Sequence, residues 1–227
     1  MPQIRQTING RYHSVWMTFD TNVPSLSPKT TSHIMVGMEN KKQHLLQKGF
    51  VILYQKGYNG TGIQEIVDAA GVPKGSFYSY FDSKQAFALE ALRHYTTLLD
   101  EEMDATLSDA AVPPLERIFN LYRQRLEFFR QVNYTLGCFA GNLTQELGDT
   151  NLTVRTALDD FFVHNRQPIA RCLEEASQLG VLSSPLSAQE LAEYIVNAYE
   201  GSLLRMKASA SEEPLLLFLK MLKLLLV

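Results

Sequence analysis

Thr61-Gly-Ile-Gln-Glu-Ile-Val-Asp-Ala-Ala-Gly-Val-Pro-Lys-Gly-Ser-Phe-Tyr-Ser-Tyr-Phe-Asp-Ser-Lys84 is the stretch on which the reading of this 227-residue chain turns. Ile63, Ile66, Val67 and Ala70 recur at three- and four-residue spacings, the mark of one buried helix face. Thr61 stands where an N-cap is wanted, and Gly71 ends the run with a residue free to take the left-handed backbone of a tight turn. Pro73 suits the first turn of a second, shorter helix reaching Tyr80. Helix, glycine turn and helix in this span have the length of a helix-turn-helix. If Ile66, Ala70, Val72, Phe77 and Phe81 form its small core, Lys74, Gly75, Ser76, Tyr78 and Tyr80 are left outside. Hydroxyls, a cation and a bare glycine on a short helix can approach base edges and phosphates closely in the major groove. An ordinary helical hairpin explains Phe77 and Phe81. It does not explain an outward glycine that costs about 1 kcal/mol against alanine with no packing gain.

The same helical punctuation extends in both directions. Upstream, Leu45, Leu46, Phe50, Leu53 and Tyr54 build a helix from Lys41 to the stop at Gly57. Downstream, the Asp82-Ser83 cap opens a helix over 84–107, and further helices are predicted over 114–130, 139–147, 152–179, 188–207 and 212–226. No strand pattern is found, so the fold class is all-α, with the helix-turn-helix in a three-helix N-terminal part and a larger helical part after it. Pro168 should kink the long helix that contains it. Residues 1–38, rich in Thr, Ser, Asn and Pro, form an expected loose or non-native extension, with a DNA-touching arm as the alternative. The expected domains are 39–85 and 86–227.

Charge divides along the same line. The net charge is −3, yet residues 41–94 carry seven Lys/Arg against four Asp/Glu, whereas residues 95–227 carry eleven against eighteen. A basic small part and an acidic larger part suggest that only the first faces a polyanion. Two cysteines, Cys138 and Cys172, are too few for a disulfide framework and favour a reducing compartment, the cytoplasm. No apolar stretch is long enough to span a bilayer, so no membrane partner is expected.

The quoted stretch resembles the TetR family of transcriptional regulators. Gly57-Tyr58, Thr61, Ala70-Gly71-Val72, Lys74-Gly75, Tyr78, Phe81 and Lys84 fall at the spacing of that family's N-terminal signature. The resemblance implies a homodimer on double-stranded operator DNA, with Thr61, Tyr78 and Lys84 on phosphates and Lys74, Gly75, Ser76 and Tyr80 nearest the bases. It also implies an N-terminal three-helix DNA-binding domain and a C-terminal helical ligand-binding and dimerisation domain. No cofactor is expected. Two recognition helices about 34 Å apart make dimerisation part of the mechanism. Leu191, Ile195, Ala198, Tyr199, Ser202 and Leu203, with Gly201 and the apolar 215–226 segment, form the expected interface; closure of the monomer's own core is the alternative.

An inducer pocket is expected among the middle helices, lined by aromatic residues including Tyr122, Phe129 and Phe162, with His164. Gly137-Cys138 opens a helix, where the macrodipole should lower the thiol pKa and make it reactive. This segment resembles the electrophile-sensing N-ethylmaleimide reductase operon repressors, with Leu143 five residues beyond the cysteine. Two readings of Cys138 therefore stand, a redox or electrophile sensor and a small buried hydrophobe. Cys172, inside a long helix, reads as structural.

The expected function is a DNA-binding regulator, a repressor released by a small-molecule or electrophilic inducer. The alternatives are a helical small-molecule-binding protein, an adaptor, or an enzyme without DNA binding. No catalysis or metal is expected: His13, His33, His44, His94 and His164 are isolated, and no nucleophile elbow is present.

Overall fold

The computed structural model describes residues 35–227, with side chains from Lys41 onward. The expectation for the N-terminal extension lies, up to residue 34, outside the described residues. Nine helices are present among those described: α1 (Met35–Lys56), α2 (Ile63–Ala69), α3 (Lys74–Tyr78), α4 (Lys84–Leu107), α5 (Pro114–Gln131), α6 (Phe139–Leu147), α7 (Leu152–Gln178), α8 (Ala188–Ser209) and α9 (Glu213–Leu226). The described residues contain no strand. Helix α1 starts at Met35, ahead of the expected start at Lys41, and α7 remains a single helix through Pro168.

The chain divides into two compact units between His94 and Tyr95, inside α4 rather than before it. The reason is packing: Phe87, Ala88 and Ala91 are buried and belong to the first unit's core. In that unit α2 packs on α1 and on α3. Its centre is an aromatic knot. Phe77 lies 5.4 Å from Phe81 and 5.7 Å from Phe87, and Phe81 meets Phe87 edge-on at 5.0 Å. Such pairs are worth about 0.5–1.5 kcal/mol each beyond the area they bury. Helices α1, α2 and α4 converge so tightly at Gly49 that a Cβ there would stand 2.5 Å from Ile66 and 2.6 Å from Phe87.

In the second unit α8 packs on α7 and α9, α7 also on α5 and α6, and α9 on α5. Leu121, Ile169, Leu173, Leu191 and Leu226 are fully buried there. The interior is not wholly apolar. Arg125 is sealed against Glu102 and lies 5.7 Å from the ring centres of both Tyr122 and Tyr199. A second buried guanidinium, Arg117, holds Glu175 through two nitrogens at 2.7 and 3.1 Å.

The α8 face expected to meet a partner is split. Leu191, Ile195, Tyr199 and Leu203 turn into the monomer's own core, while Tyr194, Leu204, Leu217, Met221 and Leu224 stay exposed. Helix α9 supplies apolar residues all round its circumference, so burying one side leaves another uncovered. A cleft of about 630 Å³ on this outer face is lined by Tyr194, Ala198, Gly201, Ser202, Leu217 and Met221, among others.

Candidate nucleic-acid interface and interior thiol

The turn between α2 and α3 is held by backbone geometry. Gly71 takes φ +64°, and the Val72 N–H reaches back to the Val67 carbonyl at 3.0 Å, satisfying a carbonyl that the helix end leaves free. Pro73 is the N-cap of α3, one position ahead of its expected place inside the helix. Phe77 and Phe81 anchor the inner side. Lys74, Gly75 and Tyr78 are then exposed, Tyr78 by 54%, with Ser76 and Tyr80 half-buried. A Cβ added at Gly75 would have nothing within 4 Å. The glycine is therefore not required by the fold, and what it provides is a close approach from outside. Lys84, at the start of α4, lays its ammonium 4.2 Å from the centre of the Tyr58 ring, which orients it.

Thr61 departs from its expected role. Gly62 caps α2, with Glu65 accepting from the Gly62 N–H at 3.1 Å, and Thr61 is only 2% exposed. Its hydroxyl donates to the Gly57 carbonyl at 2.7 Å, closing the α1–α2 turn instead of facing phosphate. A short hydroxyl pulled beneath the loop satisfies a carbonyl that α1 would otherwise leave unpaired.

In the second unit the expected inducer residues do not converge on one aromatic pocket. Tyr122 is wholly enclosed, with ring centres 4.7 Å from Tyr199 and 4.8 Å from Phe218, and its phenol pKa is pushed up by burial. Phe129 is buried beside Phe128. Phe162 is half-buried at the edge of Phe161, and His164 is exposed, with Nε2 2.7 Å from Asp100. His164 instead borders an open polar cavity of about 770 Å³ that Asp104, Arg117, Arg171 and Glu175 also line. Along α7, Phe161 is buried, Phe162 is half-buried and His164 is exposed, so the three do not share one enclosed lining.

Cys138 is the N-cap of α6, and its sulfur accepts from the Gly141 N–H at 3.3 Å. The expectation of a lowered thiol pKa is overturned. Burial, and then the nearby Glu200 carboxylate, push it well above the ordinary value, outweighing the helix-terminus N–H. The Tyr95 hydroxyl donates to the same sulfur at 3.9 Å. Glu200 itself, with its carboxyl drawn inside, is pushed up to about 7 by burial, although the Cys138 hydrogen bond and Arg125 oppose the shift. Sequence reasoning passed over Glu200, Tyr95 and the Arg125–Glu102 pair. They sit on separate helices, and no local spacing connects them to position 138.

A two-helix projection with a solvent-facing glycine and lysine, anchored by an aromatic knot, defines a helix-turn-helix DNA-binding protein. Residues 45–91 match the family described as "Bacterial regulatory proteins, tetR family", and residues 114–222 match "Tetracyclin repressor-like, C-terminal domain". The chain belongs to the TetR family and is a DNA-binding transcriptional regulator. It is 36% identical to the "HTH-type transcriptional repressor DhaR" of Mycobacterium sp. (strain GP1), over 78% of this chain and 88% of that one. To the "HTH-type transcriptional repressor NemR" of Escherichia coli (strain K12) it is 30% identical, over 77% and 87%. The solved "regulatory protein TetR from Rhodobacter sphaeroides" superposes with a TM-score of 0.77 at 34% identity, covering 82% of this chain and 98% of that one. These relatives are transcriptional regulators. None of the described helices is long and apolar enough to cross a membrane.

Proposed function

We propose that this regulator is a homodimeric repressor that grips a two-fold operator through α3 and releases it when an electrophile adds to Cys138. Residues 39–85 carry the DNA, and 86–227 carry the signal and the dimer contact. The observation that carries the DNA reading is the open space around Gly75, flanked by exposed Lys74 and Tyr78. Lys74, Gly75, Ser76 and Tyr80 read base edges, while Tyr78 and Lys84 hold phosphates. The uncovered apolar strip of Tyr194, Leu204, Leu217, Met221 and Leu224 supports the dimer, since a contiguous exposed patch of that kind marks an interaction surface.

Release follows from the path of α4. The helix runs from Lys84, beside the DNA-facing residues, to Leu107 in the second unit, and Tyr95 on it bonds the Cys138 sulfur. A group added to that sulfur displaces Tyr95, and an α4 shift of a few ångströms breaks simultaneous engagement of two half-sites. The unpaired thiols fit a reducing cytoplasm. The test is a gel-shift titration on DNA from upstream of the chain's own gene, with and without N-ethylmaleimide. Wild type should bind and then release; Cys138→Ser should bind and stay bound. Release of Cys138→Ser by the same reagent would remove the electrophile reading.

A further inference from the structure

We propose that Glu200 is the proton acceptor that lets Cys138 add to a carbonyl-conjugated alkene, a step that rests on the reading of Cys138 as the reactive group. The geometry is specific. A Cβ at Gly141 would stand 2.7 Å from Glu200 Oε2, 3.4 Å from Cys138 Cβ and 3.8 Å from its Sγ, so the glycine leaves the space through which the α8 carboxyl reaches the thiol. The two groups act on each other's protons: the carboxylate raises the thiol pKa, and the thiol lowers that of the carboxyl. The Gly141 N–H at 3.3 Å and the Tyr95 hydroxyl at 3.9 Å aim donors at the sulfur, ready for the charge that develops when the proton leaves.

A buried thiol held above its ordinary pKa supplies almost no free thiolate near neutrality, so addition needs a local base. In the step, the S–H bond breaks and its proton passes to Glu200 while sulfur bonds the β-carbon. The alkene electrons move onto the conjugated carbonyl, and the resulting enolate takes the proton back from Glu200 at its α-carbon. Nothing is oxidised and nothing leaves. The groups whose charge or hydrogen bonding couples to Glu200 are Cys138 from the start of α6, Tyr122 and Arg125 from α5, and Tyr199 on α8 itself, while Tyr95 from α4 reaches the same sulfur. The segment before the cysteine has an unusual backbone. Tyr134, Leu136 and Gly137 hold left-handed backbone at φ 60°, 67° and 77°, and the Leu136 carbonyl is tied down by Asn142 and Lys207.

The test uses the intact protein and N-ethylmaleimide, with Cys138 alkylation followed by peptide mass spectrometry from about pH 5.5 to about 8.5. The wild-type rate should rise through the Glu200 midpoint at about 7. Glu200→Gln should react about a hundred-fold more slowly at alkaline pH and lose that inflection. Gly141→Ala, which keeps both groups but pushes the carboxylate away, should also slow. A Glu200→Gln protein that binds operator normally and reacts as fast as wild type, or faster, overturns the proposal, because Glu200 would then only be suppressing the thiolate by its charge. If Glu200→Gln fails to bind operator, Gly141→Ala decides, and an unchanged rate sinks the idea. These rates are independent of whether alkylation releases DNA, so the sensor reading can fail separately.

Discussion

Arg125 grips one carboxylate oxygen of Glu102 with two nitrogens, Nε at 3.1 Å and Nη2 at 2.9 Å, in the interior of the second unit. Both side chains are buried, and the guanidinium lies 5.7 Å from the ring centres of both Tyr122 and Tyr199. Breaking such a pair from one side leaves a charge in a medium that solvates it poorly. Arg125→Met should therefore cost about 3–5 kcal/mol in urea unfolding, and the double variant Arg125→Met/Glu102→Leu should recover most of it. A single variant as stable as wild type would mean that water reaches the pair.

Gly75 separates folding from DNA binding. Because an added side chain there meets nothing within 4 Å, Gly75→Leu should not destabilise the fold and should gain up to about 1 kcal/mol from helix propensity. It should abolish operator binding, since the new side chain occupies the space in which a base edge must lie. Lys84→Ala should instead weaken specific and non-specific DNA alike, and make the slope of log K against log salt shallower by about one, the share of a single phosphate. Fluorescence anisotropy at several salt concentrations measures both.

The exposed strip on α8 and α9 is the proposed dimer contact. Leu217→Glu with Leu224→Lys places two charges where Leu217 is 58% and Leu224 70% exposed in the monomer, so the chain should still fold. Sedimentation should show monomers, and operator affinity should collapse because each half-site alone is weak. Dimers that persist with full affinity would place the interface elsewhere.

Glu200 makes stability fall with pH. Its folded pKa of about 7 lies above the ordinary 4.5, so the folded state holds a proton that the unfolded chain releases. The stabilisation is fully present below the unfolded value and is lost as pH rises through the folded one, by roughly 3 kcal/mol at most. Denaturant midpoints measured at intervals across that window should fall for wild type and flatten for Glu200→Gln. A flat wild-type profile would mean that the carboxyl is solvated.

The helix-turn-helix was legible because its determinants are local: the apolar period of α2, the Gly71 turn and the Phe77/Phe81 pair all fall within about twenty residues, and their face assignments follow from helical geometry alone. Thr61 shows the limit even there. Its position suits a cap, but whether a hydroxyl turns toward solvent or back to Gly57 depends on how α1 ends.

What the sequence by itself determined is therefore the all-helical class, the order of the helices and the outward face of α3, since each is set by periodicity and backbone preference within a few turns of chain. Only the tertiary structure decided the character of Cys138 and which side of α8 remains uncovered. Helix-terminus electrostatics alone favour a thiolate at Cys138. Burial, and a carboxyl from a helix 62 positions further along the chain, reverse that preference, because desolvation and charge act through space and not along the sequence.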